Sequence, residues 1–197
     1  EDEWFWFHFG VNPLSLIRAA GQWALNGSVV SGASTITMQL ARLLEPKPRT
    51  LWNKWCEIVR AIEIEVIFTK QEILQMYMTM LPMGGNLEGL RAASLRYWGR
   101  EPKNLSLSEM ALLLSVPQSP ESRRPDRQPD KALLSIKRVG KKLIDAGLFP
   151  SSDYDELNSL PFSRLKPLPN VAWHYSKEVI ARAKAKEHSL RMISSSL

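Results

Sequence analysis

A chain of 197 residues, 44% hydrophobic and 23% charged, can bury one sizeable core, and with Cys56 as its one cysteine it is neither a disordered segment nor a disulfide-stapled miniprotein. The net charge of +6 points to anionic partners such as nucleic acid, an acidic lipid surface or a phosphorylated substrate. No apolar run approaches the roughly 20 residues of a membrane-spanning helix, so an anchor is expected outside this stretch of sequence.

The chain opens on Glu1-Asp-Glu-Trp-Phe-Trp-Phe-His-Phe-Gly10, acids followed at once by aromatics, an abrupt start that reads as cut from something longer. Asn12 and Pro13 signal a helix carrying Leu14, Ile17 and Trp23 and stopping at Asn26-Gly27. Next comes Ser31-Gly-Ala-Ser-Thr-Ile-Thr-Met-Gln-Leu-Ala-Arg42, a glycine-hinged loop running into a helix. Such a helix start, with Ser34 or Thr35 as its cap, favours an anion through its free N–H groups and dipole. Thr35, Gln39 and Arg42 share one polar face, suited to phosphate or pyrophosphate, and Ile36, Leu40, Leu43 and Leu44 form the face to be buried. Thr50 caps a long helix with the stripe Leu51, Trp55, Ile58, Ile62 and Val66, while Lys54 and Glu57 lie off that stripe. Cys56 reads as a small core residue.

Thr69 with Glu72 and Ser106 with Glu109 make two capping boxes, the first opening a helix with Ile73, Leu74, Tyr77, Met78 and Leu81 on one side. A short helix ends at Gly99, and a basic amphipathic helix from about Pro129 to Ala146 turns Ala132, Ile136, Val139 and Leu143 inward. Its basic run, Lys137 to Lys142, reads as a solvated face. Pro150 to Pro169 is rich in Ser and Pro and reads as a linker before a last helix from about Trp173 to Lys186. Strand patterns are scarce, so the class is mainly α. Paired Cys/His spacing for a structural metal is missing, Ser163-Arg-Leu-Lys166 is taken as a chance match to a transpeptidase motif, and His174 and His188 receive no role.

Taken together, Glu1-Asp2, Phe5, His8-Phe-Gly10, Gly32-Ala-Ser-Thr-Ile-Thr-Met-Gln39 with Arg42, Lys54 with Glu57, Thr69-Lys70-x-Glu-Ile-Leu74 with Tyr77, and Gly84-Gly-Asn-Leu-Glu-Gly89 with Tyr97-Trp-Gly99 resemble the ordered motifs of the peptidoglycan glycosyltransferases, glycosyltransferase family 51. The resemblance covers about residues 1–120 and implies a lysozyme-like, two-lobed helical domain, a large head plus a small membrane-proximal lobe formed by the apolar residues between Pro13 and Val30. It divides the chain into a glycosyltransferase domain over residues 1–149 and, over 150–197, a linker toward a transpeptidase domain absent from this sequence. The implied reaction is polymerisation of lipid II. The 4-hydroxyl of an acceptor sugar attacks the anomeric carbon of a lipid-pyrophosphate donor with inversion, and undecaprenyl pyrophosphate leaves.

That chemistry assigns roles by resemblance. Glu1 matches the base that takes the acceptor's proton, and Glu57 the second glutamate of the site. Ser34, Thr35, Gln39, Arg42 and Lys54 are expected on the donor's pyrophosphate, and Asp2, Phe5 and His8 on the acceptor side. A divalent cation, Mg or Mn, is expected through the substrate pyrophosphate, with no dedicated metal ligands in the chain. The implied partners are lipid II, the growing glycan strand and the outer leaflet of the membrane, placing the domain on the extracytoplasmic, periplasmic face of the bacterial inner membrane behind an N-terminal anchor. Nucleic acid is set aside, because no reading helix or stacking platform stands out. Five positions depart from the family pattern: Asn12, Asn53, Gln75, Thr79 and Met83. Asn53 removes a cation beside Lys54, and Gln75 and Thr79 are expected to loosen packing behind Glu57. Two alternatives stay open, a lysozyme-like enzyme that cleaves the same glycan and a catalytically weakened module that binds membrane or partner.

Overall fold

A computed structural model of the chain describes residues 2–13, 34–162 and 164–166. It is mainly helical, and β pairing among the described residues is confined to an isolated bridge between Pro82 and Glu88. The helices are α1 (Ile36–Leu44), α2 (Leu51–Ile67), α3 (Lys70–Met80), α4 (Leu90–Trp98), α5 (Leu107–Ser115) and α6 (Pro129–Asp145), with 3₁₀ turns at Pro102–Asn104, Val116–Gln118 and Ser151–Asn158. Glu1, the expected small lobe and the last expected helix lie outside the described residues.

Local chemistry sets the boundaries. Thr35, Thr50, Thr69 and Ser106 each accept a hydrogen bond from a first-turn N–H, and both expected capping boxes form, Glu72 and Glu109 reaching back to the capping residue's own N–H. Packing then fixes positions. α1 lies against α2 and α3, and α5 against α6, around a core that includes Leu40, Ile73, Met83, Leu112, Leu113 and Ile136. α1 is enclosed on more sides than its periodicity suggests: Thr37, Met38, Leu40 and Ala41 are all buried, and Leu44 is exposed.

α2 reverses the expected orientation. Its stripe of Leu51, Trp55, Ile62 and Val66 faces outward, and the residues turned toward the core are Ala61 and Ile64. Periodicity reveals that a helix has an apolar face, but contact with α1 requires the side that carries Lys54, Glu57 and the small Ala61. Gly10 explains the closeness of the aromatic start. At φ 71° it lies against α2, where a Cβ would come within 2.8 Å of the Ala61 carbonyl oxygen.

The stretch read as a linker from Pro150 is, in its first part, a packed element. Ser151–Asn158 docks on α6 and buries Leu157 against Gly140, where there is no room for a Cβ. Farther on, Phe162 meets the Tyr97 ring edge-on at 5.8 Å, and the Lys166 N–H donates to Arg96. A Ser/Pro-rich composition hid one apolar residue in register with one glycine 17 positions earlier, a long-range fit that local composition cannot show.

Candidate active site

The start of α1 is closed by groups of the chain itself. The Thr35 hydroxyl accepts from the Met38 N–H at 3.1 Å and donates to the Gly10 carbonyl at 2.6 Å, and Thr35 is buried. The Asp2 carboxylate accepts from the Ile36 N–H at 3.0 Å and faces His8 Nε2 at 3.0 and 3.1 Å. Asp2 and His8 side chains are only 6% and 7% exposed. The positive end of the α1 dipole is therefore met by an internal carboxylate, in the place where an external anion was expected. His8 Nδ1 is buried with no hydrogen-bond partner among the described residues.

A second layer braces this one. Lys70 Nζ reaches the His8 carbonyl and Glu65 Oε1, each at 2.6 Å, and lies 4.5 Å from the centre of the Phe5 ring. Thr37 donates to the same Glu65 oxygen at 2.6 Å. Phe5, expected on the acceptor side, is a core residue wedged between His8 and Lys70. Glu65, Lys70 and Thr37 received no role from the sequence, because their partners lie 28 and 62 positions away.

From the last turn of α1, Arg42 reaches a group of charged side chains. Arg42 grips Glu57 with a two-pronged contact, Nε to Oε1 at 2.7 Å and Nη2 to Oε2 at 3.0 Å. Lys54 Nζ donates to Glu57 Oε2 at 3.0 Å and to the Ser34 hydroxyl at 2.6 Å. Two cations share one carboxylate, so the cluster keeps one unit of positive charge. Burial pushes the Glu57 carboxyl up, but the hydrogen bonds and charges of Arg42 and Lys54 outweigh it and hold it below its ordinary value. For Lys54 burial is the largest influence and depresses the ammonium despite Glu57, with help from the positive charges of Arg42 and Arg49. Gln39, on the same face, accepts from the Tyr77 hydroxyl at 2.9 Å, which fixes which end of its amide points away.

The structure thus brings Ser34, Arg42, Lys54 and Glu57 into one cluster, and Asp2, Phe5, His8 and Thr35 into an adjoining internal network, with Gln39 on Tyr77 and Glu1 outside the described residues. The departures are mostly remote from the cluster. Gln75 and Thr79 are exposed on α3, so they do not pack behind Glu57 as expected. Met83 is fully buried, and its carbonyl accepts from Tyr97, whose hydroxyl burial pushes up to about 12. Asn53 donates to the Pro48 carbonyl at 2.8 Å and so pins the turn before α2.

Among the described residues no group of three His, Cys, Asp or Glu side chains converges, and both Glu57 oxygens already accept from Arg42 and Lys54.

The sequence profile of the family described as Transglycosylase matches residues 1–144, and the chain belongs to that family. It is similar to penicillin-binding protein 1C of Escherichia coli, with 40% identity over 186 residues covering 94% of this chain and 24% of the relative. It is also similar to penicillin-binding protein 1A of Aquifex aeolicus, 37% identical over 164 residues covering 83% of this chain and 23% of the relative. The crystal structure of penicillin-binding protein 1A from Haemophilus influenzae aligns with a TM-score of 0.45 at 20% identity, covering 76% of this chain and 20% of that one. The chain spans about a quarter of the length of the curated relatives it matches.

Proposed function

We propose that this domain polymerises lipid II into glycan strands with release of undecaprenyl pyrophosphate, as the glycosyltransferase part of a cell-wall synthase. The observation that supports this most is the Ser34–Lys54–Glu57–Arg42 cluster, two cations on one carboxylate beside the start of α1, in a chain of the Transglycosylase family. A leaving pyrophosphate gains charge as the glycosidic bond breaks, and a net-positive, half-buried cluster lowers the cost of that charge. A glycan hydrolase has no pyrophosphate to hold, which argues against the cleaving alternative.

In this reading Glu1 accepts the proton of the acceptor's 4-hydroxyl as that oxygen attacks the anomeric carbon. Its sequence neighbour Asp2 is tied to Ile36 and His8, so Asp2, His8, Thr35 and Phe5 act by positioning, and direct contact with the donor falls to Ser34, Gln39, Arg42 and Lys54. Glu57 orients both cations. Any divalent ion travels with the substrate's pyrophosphate. The exposed Trp4, Phe7, Phe9, Trp52 and Trp55 support placement against the outer leaflet on the extracytoplasmic side, where lipid II is offered.

Polymerisation of lipid II by the membrane-anchored, full-length protein tests the proposal. Glu1→Gln should abolish turnover while leaving a donor analogue bound, and Arg42→Ala should weaken donor binding and turnover together, by roughly ten- to hundredfold for a lost charge-assisted contact. Wild-type protein that binds membranes yet makes no glycan under any divalent-ion condition would leave the membrane-binding module in its place.

A further inference from the structure

Beside Tyr77, which lines it, a cavity of about 510 Å³ opens between α3 and α6. Its walls are Ile36, Leu74, Met78 and Leu81 on one side and Val139 and Leu143 on the other. Leu114 and Met78 expose more than a third of their surface there, although each belongs to a helix that is otherwise packed. None of Ser34, Arg42, Lys54 and Glu57 lines it. The small Ser135 of α6 also lines it, its hydroxyl turned back to the Lys131 carbonyl at 2.9 Å.

The polar part of the lining is cationic. Arg123, Arg138 and Lys142 belong to it and no carboxylate does. Arg123 is aimed by neutral acceptors, its Nη1 donating to the Ser115 carbonyl at 2.9 Å and to Gln118 Oε1 at 2.5 Å. Arg138 and Lys142, one turn apart on α6, have no carboxylate partner among the described residues. Elsewhere the arginines of this fold are mostly paired, as Arg42, Arg60, Arg91 and Arg124 show.

We propose that this cavity binds a single-chain anionic amphiphile, its hydrocarbon chain between α3 and α6 and its carboxylate or phosphate at Arg123, Arg138 and Lys142. An apolar volume of this size takes one chain, and three cations with no carboxylate partner among the described residues select a negative head over a neutral or zwitterionic one. Because the cavity is separate from the charged cluster, the proposal does not depend on the glycosyltransferase reading.

Binding to the protein below the critical micelle concentration tests it, with cis-parinaric acid as the fluorescent probe. Saturated fatty acids of increasing length, lysophosphatidylglycerol and lysophosphatidylcholine serve as competitors. Saturable probe binding is expected, with competition tightening about fourfold per added methylene until the cavity is full. The double variant Arg138→Glu with Lys142→Glu should weaken the anionic competitors about ten- to hundredfold and leave lysophosphatidylcholine nearly unchanged. Val139→Phe should remove the room for the chain, and Ser135→Phe, also in the lining, gives the same check should the first variant fail to fold by circular dichroism. Preference for fatty acid over lysophosphatidylglycerol identifies a free acid as the occupant, and the reverse preference identifies a lipid headgroup. Absence of saturable binding, equal binding in both filled variants, or capture of an acidic amphipathic peptide with no amphiphile bound would each overturn the proposal.

Discussion

α1 and α2 both begin on a capping threonine, both read as amphipathic, and each supplies part of the charged cluster, yet they are buried in opposite senses. In α1 nearly every side is covered, and even polar Thr35 and Thr37 are buried and hydrogen-bonded. In α2 Lys54, Glu57, Ala61 and Ile64 turn inward and most of the large apolar residues turn outward, Trp52 and Trp55 remaining 75% and 65% exposed. The pairing follows from the cluster: Arg42 comes from the fully packed helix, and Lys54 and Glu57 come from the side of α2 that must face it. A half-buried ion cluster needs rigid support on one side and gives up apolar burial on the other.

The largest effect that separates the two helices should come from truncating α1. Leu40, fully buried, contacts the core on all sides, and Leu40→Ala should cost about 2 to 5 kcal/mol through lost transfer energy and a residual cavity, read as a lower midpoint in chemical denaturation. A cost below about 1 kcal/mol would mean that α1 is not the packed centre described above.

Next in size is the brace behind the start of α1. Lys70→Met keeps the stem packed on Phe5 but leaves Glu65, 3% exposed, without its cation and the His8 carbonyl without its donor. A loss of about 2 to 3 kcal/mol is expected, and Lys70→Arg should restore part of it. If the brace positions the aromatic start, hydrogen exchange at residues 5–11 should rise in the Lys70→Met protein while that of α6 stays put.

How much of this was legible follows from where partners lie. Spacing revealed the caps, the capping boxes and the Lys54–Glu57 pair, because those interactions close within one helical turn. The family motifs put Arg42 and Glu57 in one site without pairing them. Nothing local could show that Asp2 caps a helix 34 residues away, that Lys70 reaches His8, or that Leu157 fills the space left by Gly140. The apolar stripe of α2 was found and turned the wrong way, because period gives the angle of a face around a helix and not which neighbour claims it.

A smaller and pH-dependent effect should come from the cluster. The Glu57 carboxyl is held below its ordinary value in the fold, so its contribution is present above its unfolded value, about 4.3, and is lost as pH falls through the lower folded value. Glu57→Gln should therefore destabilise the protein by about 1 to 2 kcal/mol near neutral pH, discounted for partial exposure, and by little in strong acid. The Lys54 ammonium is depressed, so its charged form is a penalty to folding that is fully present below the folded value and fades on the alkaline side, where stability rises as the lysine deprotonates. Measuring unfolding midpoints from about pH 3 to 10 for both proteins separates the two groups, because only the acid limb should disappear in Glu57→Gln.

The smallest effect on folding belongs to the outer face of α2, and it sharpens the contrast most. Trp55→Ser removes a large ring next in sequence to Lys54 but leaves the inward residues Ala61 and Ile64 and the charged pair untouched. Stability should move by less than about 0.5 kcal/mol, as for most surface positions. Vesicle co-sedimentation of the full-length protein should respond more, because an interfacial tryptophan contributes through its amphipathic ring. If Trp55→Ser unfolds the protein as Leu40→Ala does, the stripe is covered by another part of the chain and the two helices are buried alike. If it leaves both folding and vesicle binding unchanged, the outward face of α2 is plain solvent surface, and placement against the outer leaflet has to rest on Trp4, Phe7 and Phe9 alone.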